Sequence, residues 1–256
     1  MRKTFKEDFY EMKRSKGEAN TYLAFADDTL ARGAKSTQGD KNSSLPKYGK
    51  GEELFNAISH IVGGGLGIIF SVTAFVITSF NPSPNKYAAV AIYSLSIILL
   101  YTMSALYHFL RRGTAKRVFR IFDHCTIFLL IAGCYTPFCL ITFWNSVFGK
   151  VIFFAEWTLA VLGITFNAVN MNWKAVKILS QISYVVMGWM IIFVLPQLVS
   201  AVSLACVIWL LAGGIAYTVG IVFFALGKRI KFTHSVWHLF VILGSILQFV
   251  SILCIL

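Results

Sequence analysis

The sequence predicts an all-α membrane protein: a seven-transmembrane helix bundle with its N-terminus in the cytoplasm and its C-terminus on the opposite side. Three observations support this prediction. The 256 residues are 57% hydrophobic and 13% charged, and the mean hydropathy is +0.71, which leaves too much apolar surface for one water-soluble core. The chain contains seven apolar stretches of the length of a membrane span, and its basic residues fall between them in an alternating pattern.

Each predicted helix corresponds to one apolar stretch, because about 20 mostly apolar residues are needed to cross the hydrocarbon core. Charged or polar residues separate each stretch from the next. The predicted spans are residues 57–80, 88–110, 119–143, 151–169, 176–195, 200–226 and 233–256.

Glycine and proline add detail to individual spans. Gly63 and Gly67 are four residues apart in the first span, a spacing that lets helices approach closely in lipid. Pro137 lies in the third span and predicts a kink there, because proline removes a backbone donor. Pro196 predicts the end of the fifth helix.

The distribution of Lys and Arg predicts the orientation, because positively charged loops stay in the cytoplasm. Eleven of the 23 precede the first span, five lie in residues 111–120, two in 170–177 and three in 227–232, whereas the alternate loops hold only Lys86 and Lys150. We therefore expect a multi-pass protein of the cell membrane with a cytoplasmic N-terminus. The net charge of +12 then reflects topology and attraction to anionic lipid headgroups, and it does not indicate a nucleic-acid partner.

The chain divides by composition into two parts. Residues 1–50 mix basic and acidic residues with Gly, Ser and Asn, which is typical of a cytoplasmic, partly disordered basic tail. The tail has no apolar run that would form a secretory signal, so we expect the first span to direct insertion. Residues 51–256 form the predicted seven-transmembrane domain. The sequence does not identify a protein partner.

Ionisable residues are rare in the predicted spans and gather at one end of them. After Glu53 the chain has only two acidic residues, Asp123 and Glu156. All five histidines and Asp123 lie at the predicted cytoplasmic ends of the helices, and an ionisable residue in a membrane span indicates a functional site. We interpret Glu156, near the opposite side, as a structural or interfacial polar residue. The histidines are His60, His108, His124, His234 and His238.

Three of the histidines have the spacing of metal ligands. His234 and His238 are four residues apart, so a helix places both imidazoles on one face, where they can bind one zinc ion. Ser104 and His108 repeat that spacing in the second span. Three histidines from two helices match a catalytic Zn2+ site with three protein ligands and one open position.

Asp123 is the candidate general base. Zinc lowers the pKa of a water that it binds, and a nearby carboxylate can then accept the proton. The alternative is a structural salt bridge with Arg117 or Arg120, which lie one or two turns earlier in the sequence. His60 and His124 are close to the headgroup region, and we expect them to orient a ligand or the carboxylate.

Four motifs in order resemble the hemolysin III family. They are the run Glu53-Leu-Phe-Asn56-Ala-Ile-Ser59-His60, then Ser104-Ala-Leu-Tyr-His108, then Asp123-His124 with Ala132-Gly133-Cys-Tyr135-Thr136-Pro137, and His234-Ser-Val-Trp-His238. That family belongs with the progestin and adipoQ receptors and is similar to the alkaline ceramidases. The resemblance covers residues 52–256. It implies a seven-helix bundle with zinc held by His108, His234 and His238, and with Asp123 and Ser104 beside the metal.

Three classes of function are compatible with these residues. The leading hypothesis is a zinc-dependent hydrolase that cleaves an amide or ester of a membrane lipid, with Ser104 orienting Asp123 or binding the developing oxyanion. The alternatives are a receptor or lipid-binding protein with a purely structural zinc, and a haemolytic pore. A retinal protein is excluded because the last span has no lysine, and the predicted orientation is opposite to that of a G-protein-coupled receptor.

Overall fold

Seven helices of the described chain are long and apolar enough to cross a membrane, as predicted. The computed structural model describes residues 45–227 and 229–256, and Lys47–Leu256 forms one compact unit. The predictions about the N-terminal tail concern mainly residues outside the described part. Spans 1 to 7, numbered along the chain, are Lys50–Phe80, Pro84–Phe109, Thr114–Thr142, Val147–Asn170, Lys174–Ala201, Leu204–Leu226 and Thr233–Leu253.

Serine side chains cap the N-termini of three spans. The hydroxyl oxygen of Ser83 accepts a hydrogen bond from the third residue of span 2, at 3.2 Å. Ser146 and Ser203 cap spans 4 and 6 in the same way. Each serine satisfies a backbone N–H that has no partner within its own helix, and this fixes where the helix begins.

Glycines allow neighbouring spans to pack closely. A Cβ atom on Gly63 would lie 2.4 Å from the ring of Tyr101, so spans 1 and 2 approach at a distance that only glycine permits. Gly220 makes a similar contact with Trp237, which joins spans 6 and 7. Span 1 also packs against span 7. Spans 1, 2 and 7 are therefore neighbours, and the ends that carry histidines meet.

The structure differs from the sequence prediction in the first, third and fifth spans. Span 1 begins at Lys50 rather than at residue 57, which adds two helical turns. Span 3 changes from α-helix to π-helix directly after Pro137, a local widening that often occurs at functional sites. Span 5 breaks at Gly188 and continues as a 3-10 segment and a short helix, Leu195–Ala201. The prediction that Pro196 ends a helix was wrong: it lies in the first turn of that short helix, where proline is well accepted.

Candidate metal centre

Three buried histidines form a cluster where the end of span 2 meets the start of span 7. Ligand nitrogens of His108, His234 and His238 all lie within 4.8 Å of one another. The three residues are 2%, 5% and 1% exposed. The Nε2 atoms of His234 and His238 are 3.3 Å apart. The helical i, i+4 spacing within span 7 accounts for this pair, and the packing of span 2 adds the third imidazole.

The start of span 7 is held by span 1. Phe232 precedes the span in a left-handed conformation, with φ of 63°, which is uncommon for a bulky residue. Its N–H donates to Oε1 of Glu52 at 2.6 Å, while Oε2 of the same carboxylate accepts from the N–H of Gly49 at 2.8 Å. Glu52 therefore joins the first turns of two helices and positions the span that carries His234 and His238.

Glu53 determines how His108 presents its ring. Nδ1 of His108 lies 2.8 Å from Oε2 of Glu53, and Oε1 lies 2.9 Å from Nζ of Lys116. Lys116 is buried and also donates to the carbonyl oxygens of Tyr107 and Leu110, where span 2 ends. Because a carboxylate paired with an ammonium group only accepts hydrogen bonds, Nδ1 of His108 carries the proton. Its Nε2, which is buried and has no partner among the described residues, is left with a free lone pair.

Ser59 has the same effect on His238. Its hydroxyl donates to the carbonyl oxygen of Asn56 at 3.0 Å, so its oxygen acts as an acceptor toward Nδ1 of His238, 3.2 Å away. The proton of His238 then lies on Nδ1, and Nε2 faces the cluster unprotonated. Metal-binding histidines usually have such a partner on the other ring nitrogen, which fixes the tautomer.

The cluster fits a metal ion. Nε2 of His108 and Nε2 of His238 both offer a lone pair at the cluster, and the three ligand atoms lie within 4.8 Å of one another. Ligands of a tetrahedral ion bound at about 2.0–2.1 Å are separated by about 3.3–3.4 Å, and the Nε2 atoms of His234 and His238 are 3.3 Å apart. His108, His234 and His238 could therefore hold a metal ion.

Asp123 and Ser104 lie in the same cavity as two of these histidines. The cavity is lined by His234, His238, Ser104 and Asp123 at one end. The Ser104 side chain is close enough to donate a hydrogen bond to the Asp123 carboxylate. Nδ1 of His124 lies 3.4 Å from Oδ2 of the same carboxylate, although the ring is not oriented for a hydrogen bond. These neighbours keep Asp123 as an oriented carboxylate at the edge of the histidine cluster.

The two basic residues considered as salt-bridge partners of Asp123 make other contacts. Arg117 donates to the hydroxyl of Thr114 at 2.9 Å, and Arg120 donates to Oδ1 of Asn172 at 3.3 Å. Ser104 and His124 are side chains beside the Asp123 carboxylate that line the same cavity.

His60 lies beside the cluster without belonging to the group of possible ligands. Its ring stacks on His238, with centroids 3.7 Å apart and an angle of 20° between the planes. Its other side meets the edge of Tyr101 at 5.1 Å. Neither ring nitrogen has a hydrogen-bond partner among the described residues. His60 therefore supports the ring of His238 by packing.

Tyr48 covers the cluster at the start of the described unit. Its ring stacks on His234, with centroids 4.9 Å apart, and lies 5.8 Å from the ring of His108. Burial raises the pKa of Tyr48 above its usual value, and the charges of Asp123 and Glu53 add to this effect, so the phenol is neutral. The side chain shields two of the histidines.

Sequence reasoning assigned no role to Glu53, Ser59, Lys116 or Tyr48, although Glu53 and Ser59 belong to the first motif of the family resemblance. Helical spacing held a signal for one of them: Glu53 and His60 are seven residues apart, about two turns, so they lie on one face once the helix begins at Lys50. No comparable pattern marks Lys116 or Tyr48, which approach the cluster from segments outside the apolar stretches.

Beyond the histidines the cavity is long and apolar. Its walls come from spans 2, 3, 5, 6 and 7. Along span 7 the lining extends from His234 to Gln248, which is 14 residues or about 21 Å of helix. That length exceeds the hydrocarbon thickness of one leaflet, about 15 Å. The apolar lining side chains are mainly Ile127, Leu130, Ile131, Phe138, Val185, Trp189, Leu210, Leu211, Ile221 and Val241.

Comparison with known proteins gives concordant matches over nearly the whole described chain. A family model described as Haemolysin-III related matches residues 48–249. "Hemolysin-3" of Bacillus cereus is 39% identical over 218 residues, which cover 84% of this chain and 95% of that protein. "Hemolysin-3 homolog" of Bacillus subtilis (strain 168) is 36% identical over 206 residues, or 79% and 93% of the two chains. The human "Monocyte to macrophage differentiation factor" is 25% identical over 169 residues, or 63% and 67%.

Proposed function

The chain belongs to the haemolysin-III related family, and from this and from its histidine cluster we propose that it is a zinc-dependent hydrolase of membrane-lipid amides or esters. One observation carries the proposal. Two of the three histidines that could hold a metal, His234 and His238, line a long apolar cavity together with the partly buried carboxylate of Asp123 and the hydroxyl of Ser104. Such a cavity suits a lipid whose polar linkage lies at the histidines and whose hydrocarbon chain extends inward.

The protein's residues have distinct roles in this proposal. His108, His234 and His238 would hold zinc, which supplies a Lewis acid that polarises a carbonyl group and acidifies water. Asp123 accepts the proton of the attacking water and returns it to the leaving group. Ser104 donates a hydrogen bond to Asp123 and so fixes the direction in which the carboxylate accepts that proton.

The fixed tautomers matter for this arrangement. Glu53 and Ser59 hold the protons of His108 and His238 on Nδ1, so both rings are ready to bind metal without a proton shift. The apolar walls of the cavity exclude water from the rest of the lipid chain, which strengthens electrostatic interactions at the polar end. Substrate binding and metal binding thus involve the same end of the cavity.

The decisive experiment compares the wild-type protein with Asp123→Asn. Purified protein in detergent would be stripped of metal, reloaded with zinc, and assayed for fatty-acid release from ceramides and lysophospholipids by mass spectrometry. We expect release to require zinc and to be lost in Asp123→Asn, because the amide keeps a hydrogen bond but does not accept the proton. Zinc content and thermal stability should stay close to those of the wild type.

Glu156→Gln is the matched control, because it also exchanges a carboxyl group for an amide but at a residue that does not line the cavity. It should keep both zinc and activity. Equal activity of Asp123→Asn and wild type would remove Asp123 as the base. No release from any lipid by the zinc-loaded protein would refute hydrolysis of these substrates.

A second candidate is a receptor or lipid-binding protein with a structural metal. The observation that favours it is His60, whose two ring nitrogens are buried without a partner beside the ring of His238. A fourth imidazole on the metal would close the site, as in structural zinc centres. The third candidate, a haemolytic pore, is less well supported, because the cavity is lined mostly by apolar side chains and a conducting pore needs polar ones.

A further inference from the structure

We propose that Glu156 is a proton-binding site in the membrane interior, separate from the histidine cluster: a neutral carboxylic acid that exchanges its proton and reacts with a hydrophobic carbodiimide. Glu156 is nine residues from the start of span 4, about 14 Å along the helix. That end of span 4 is opposite to the end at which the histidines gather. The proposal is independent of lipid hydrolysis.

Burial without a hydrogen-bond partner distinguishes Glu156 from the other acidic residues of the described spans. The residue is 0% exposed. Neither carboxyl oxygen has a hydrogen-bond partner among the described residues. By contrast, Glu53 is paired with Lys116, and Asp123 has Ser104 and His124 beside it.

Within residues 45–227 and 229–256, neither carboxyl oxygen of Glu156 has a Lys, Arg or His partner. An isolated buried carboxylate is so unfavourable that the group takes up a proton instead. Opposite span 4, the titratable neighbours on span 3 are Cys134, Tyr135 and Cys139, and all three are neutral groups.

The nearby donors are already used by other acceptors. Nε1 of Trp157 donates to the hydroxyl of Thr136 at 3.2 Å, and that hydroxyl donates to the carbonyl oxygen of Ala132 at 2.8 Å. The hydroxyl of Tyr135 donates to the carbonyl oxygen of Gly188. A carboxylate here would lack donors, since thiols donate only weakly.

The neutral acid is the less costly form in these surroundings. Both carboxyl oxygens of Glu156 are buried without a partner among the described residues. A buried polar group without partners costs far less when it is neutral than when it is charged. Protonation therefore relieves most of the cost of this position.

A proton-carrying carboxyl group in an apolar interior has a diagnostic reaction. The proton moves to a nitrogen of dicyclohexylcarbodiimide and the carboxyl oxygen bonds to the central carbon. The adduct rearranges to a stable N-acylurea, so no atom is lost. A water-soluble carbodiimide does not reach such a site. Glu156 should therefore react with the hydrophobic carbodiimide and not with the water-soluble one.

The test uses the whole zinc-loaded protein in lipid nanodiscs, treated separately with dicyclohexylcarbodiimide and with a water-soluble carbodiimide, followed by peptide mass spectrometry. We expect Glu156 to be modified by the first reagent only and Glu53 by neither. Modification should fall as the pH rises, because the ionised form lacks the proton that the reaction needs. Zinc content should be unchanged by the modification.

Infrared difference spectra between wild type and Glu156→Gln give a second readout that does not depend on the reagent. The spectrum should contain the carbonyl band of a protonated acid and shift in D2O. Three results would overturn the proposal: no adduct at Glu156, a carboxylate band in place of the acid band, or protection of Glu156 by Na+ or Ca2+, which would indicate a cation site.

Discussion

Replacing Glu53 by glutamine should weaken metal binding, although Glu53 is not one of the candidate ligands. The substitution keeps the size of the side chain but removes the negative charge that faces Nδ1 of His108 at 2.8 Å and Nζ of Lys116 at 2.9 Å. Hydrogen bonds to charged groups contribute about 1.5–3 kcal/mol. Loss of a residue that orients a metal ligand typically lowers metal affinity by about ten- to a hundredfold. At about 1.4 kcal/mol per tenfold, the two estimates agree.

We therefore expect the zinc dissociation constant of Glu53→Gln to rise about ten- to a hundredfold. The measurement is a competition titration with a chromophoric chelator, on purified protein in detergent. Glu156→Gln is the control, because it makes the same chemical change without contacting a histidine, and its zinc affinity should equal that of the wild type. A wild-type dissociation constant for Glu53→Gln would refute the role given to the contact between Glu53 and His108.

Three further predictions follow from the cluster, the helix packing and the charge distribution. The double substitution His234→Ala/His238→Ala should abolish stoichiometric zinc binding in elemental analysis, and a full equivalent of zinc retained by this variant would contradict the site. The zinc affinity of the wild type should fall as the pH falls, because protons compete for the lone pairs of the histidine ligands. Gly63→Ala should lower the free energy of unfolding by about 1–3 kcal/mol, as overpacked contacts do, because its Cβ would lie 2.4 Å from Tyr101. Gly65→Ala is the control and should leave stability unchanged, because a Cβ there would have nothing within 4 Å. A cysteine introduced at Lys3 should be labelled only from the cytoplasmic side. Labelling from outside intact cells would show that the predicted orientation is wrong.

The number and approximate position of the helices could be predicted from the sequence, because bilayer thickness imposes one length on every span. The start of span 1 could not. An apolar run begins near residue 57, but the helix begins at Lys50, where Glu52 satisfies the N–H of Gly49 and the backbone of Phe232. These polar contacts lie beyond the apolar run, so hydropathy does not report them. Hydropathy likewise assigned no role to Glu53.

The break in span 5 illustrates a second limit. Its residues are as apolar as those of an unbroken helix, yet the helix ends at Gly188. The hydroxyl of Tyr135 donates to the carbonyl oxygen of Gly188 at 3.1 Å and accepts from the N–H of Ile191 at 2.9 Å. This side chain of span 3 replaces the partners that the backbone loses, and it is 53 residues away in the sequence.

The histidines were predictable to a greater degree than their surroundings. An imidazole in a membrane span is conspicuous, and the i, i+4 pair of His234 and His238 indicates a shared face. The partners that orient the rings are less conspicuous. Ser59 is a common residue in membrane helices, and its role depends on the packing of span 1 against span 7, which no local pattern reveals.

The central claim is that His108, His234 and His238 hold a metal and that no other protein side chain completes the coordination. X-ray absorption spectroscopy at the zinc edge, on the zinc-loaded wild type and on His60→Ala, tests it most directly. We predict three imidazole nitrogens at about 2.0–2.1 Å in both proteins, with identical spectra. Four imidazoles in the wild type and three in His60→Ala would contradict the account and would indicate a closed, structural metal site.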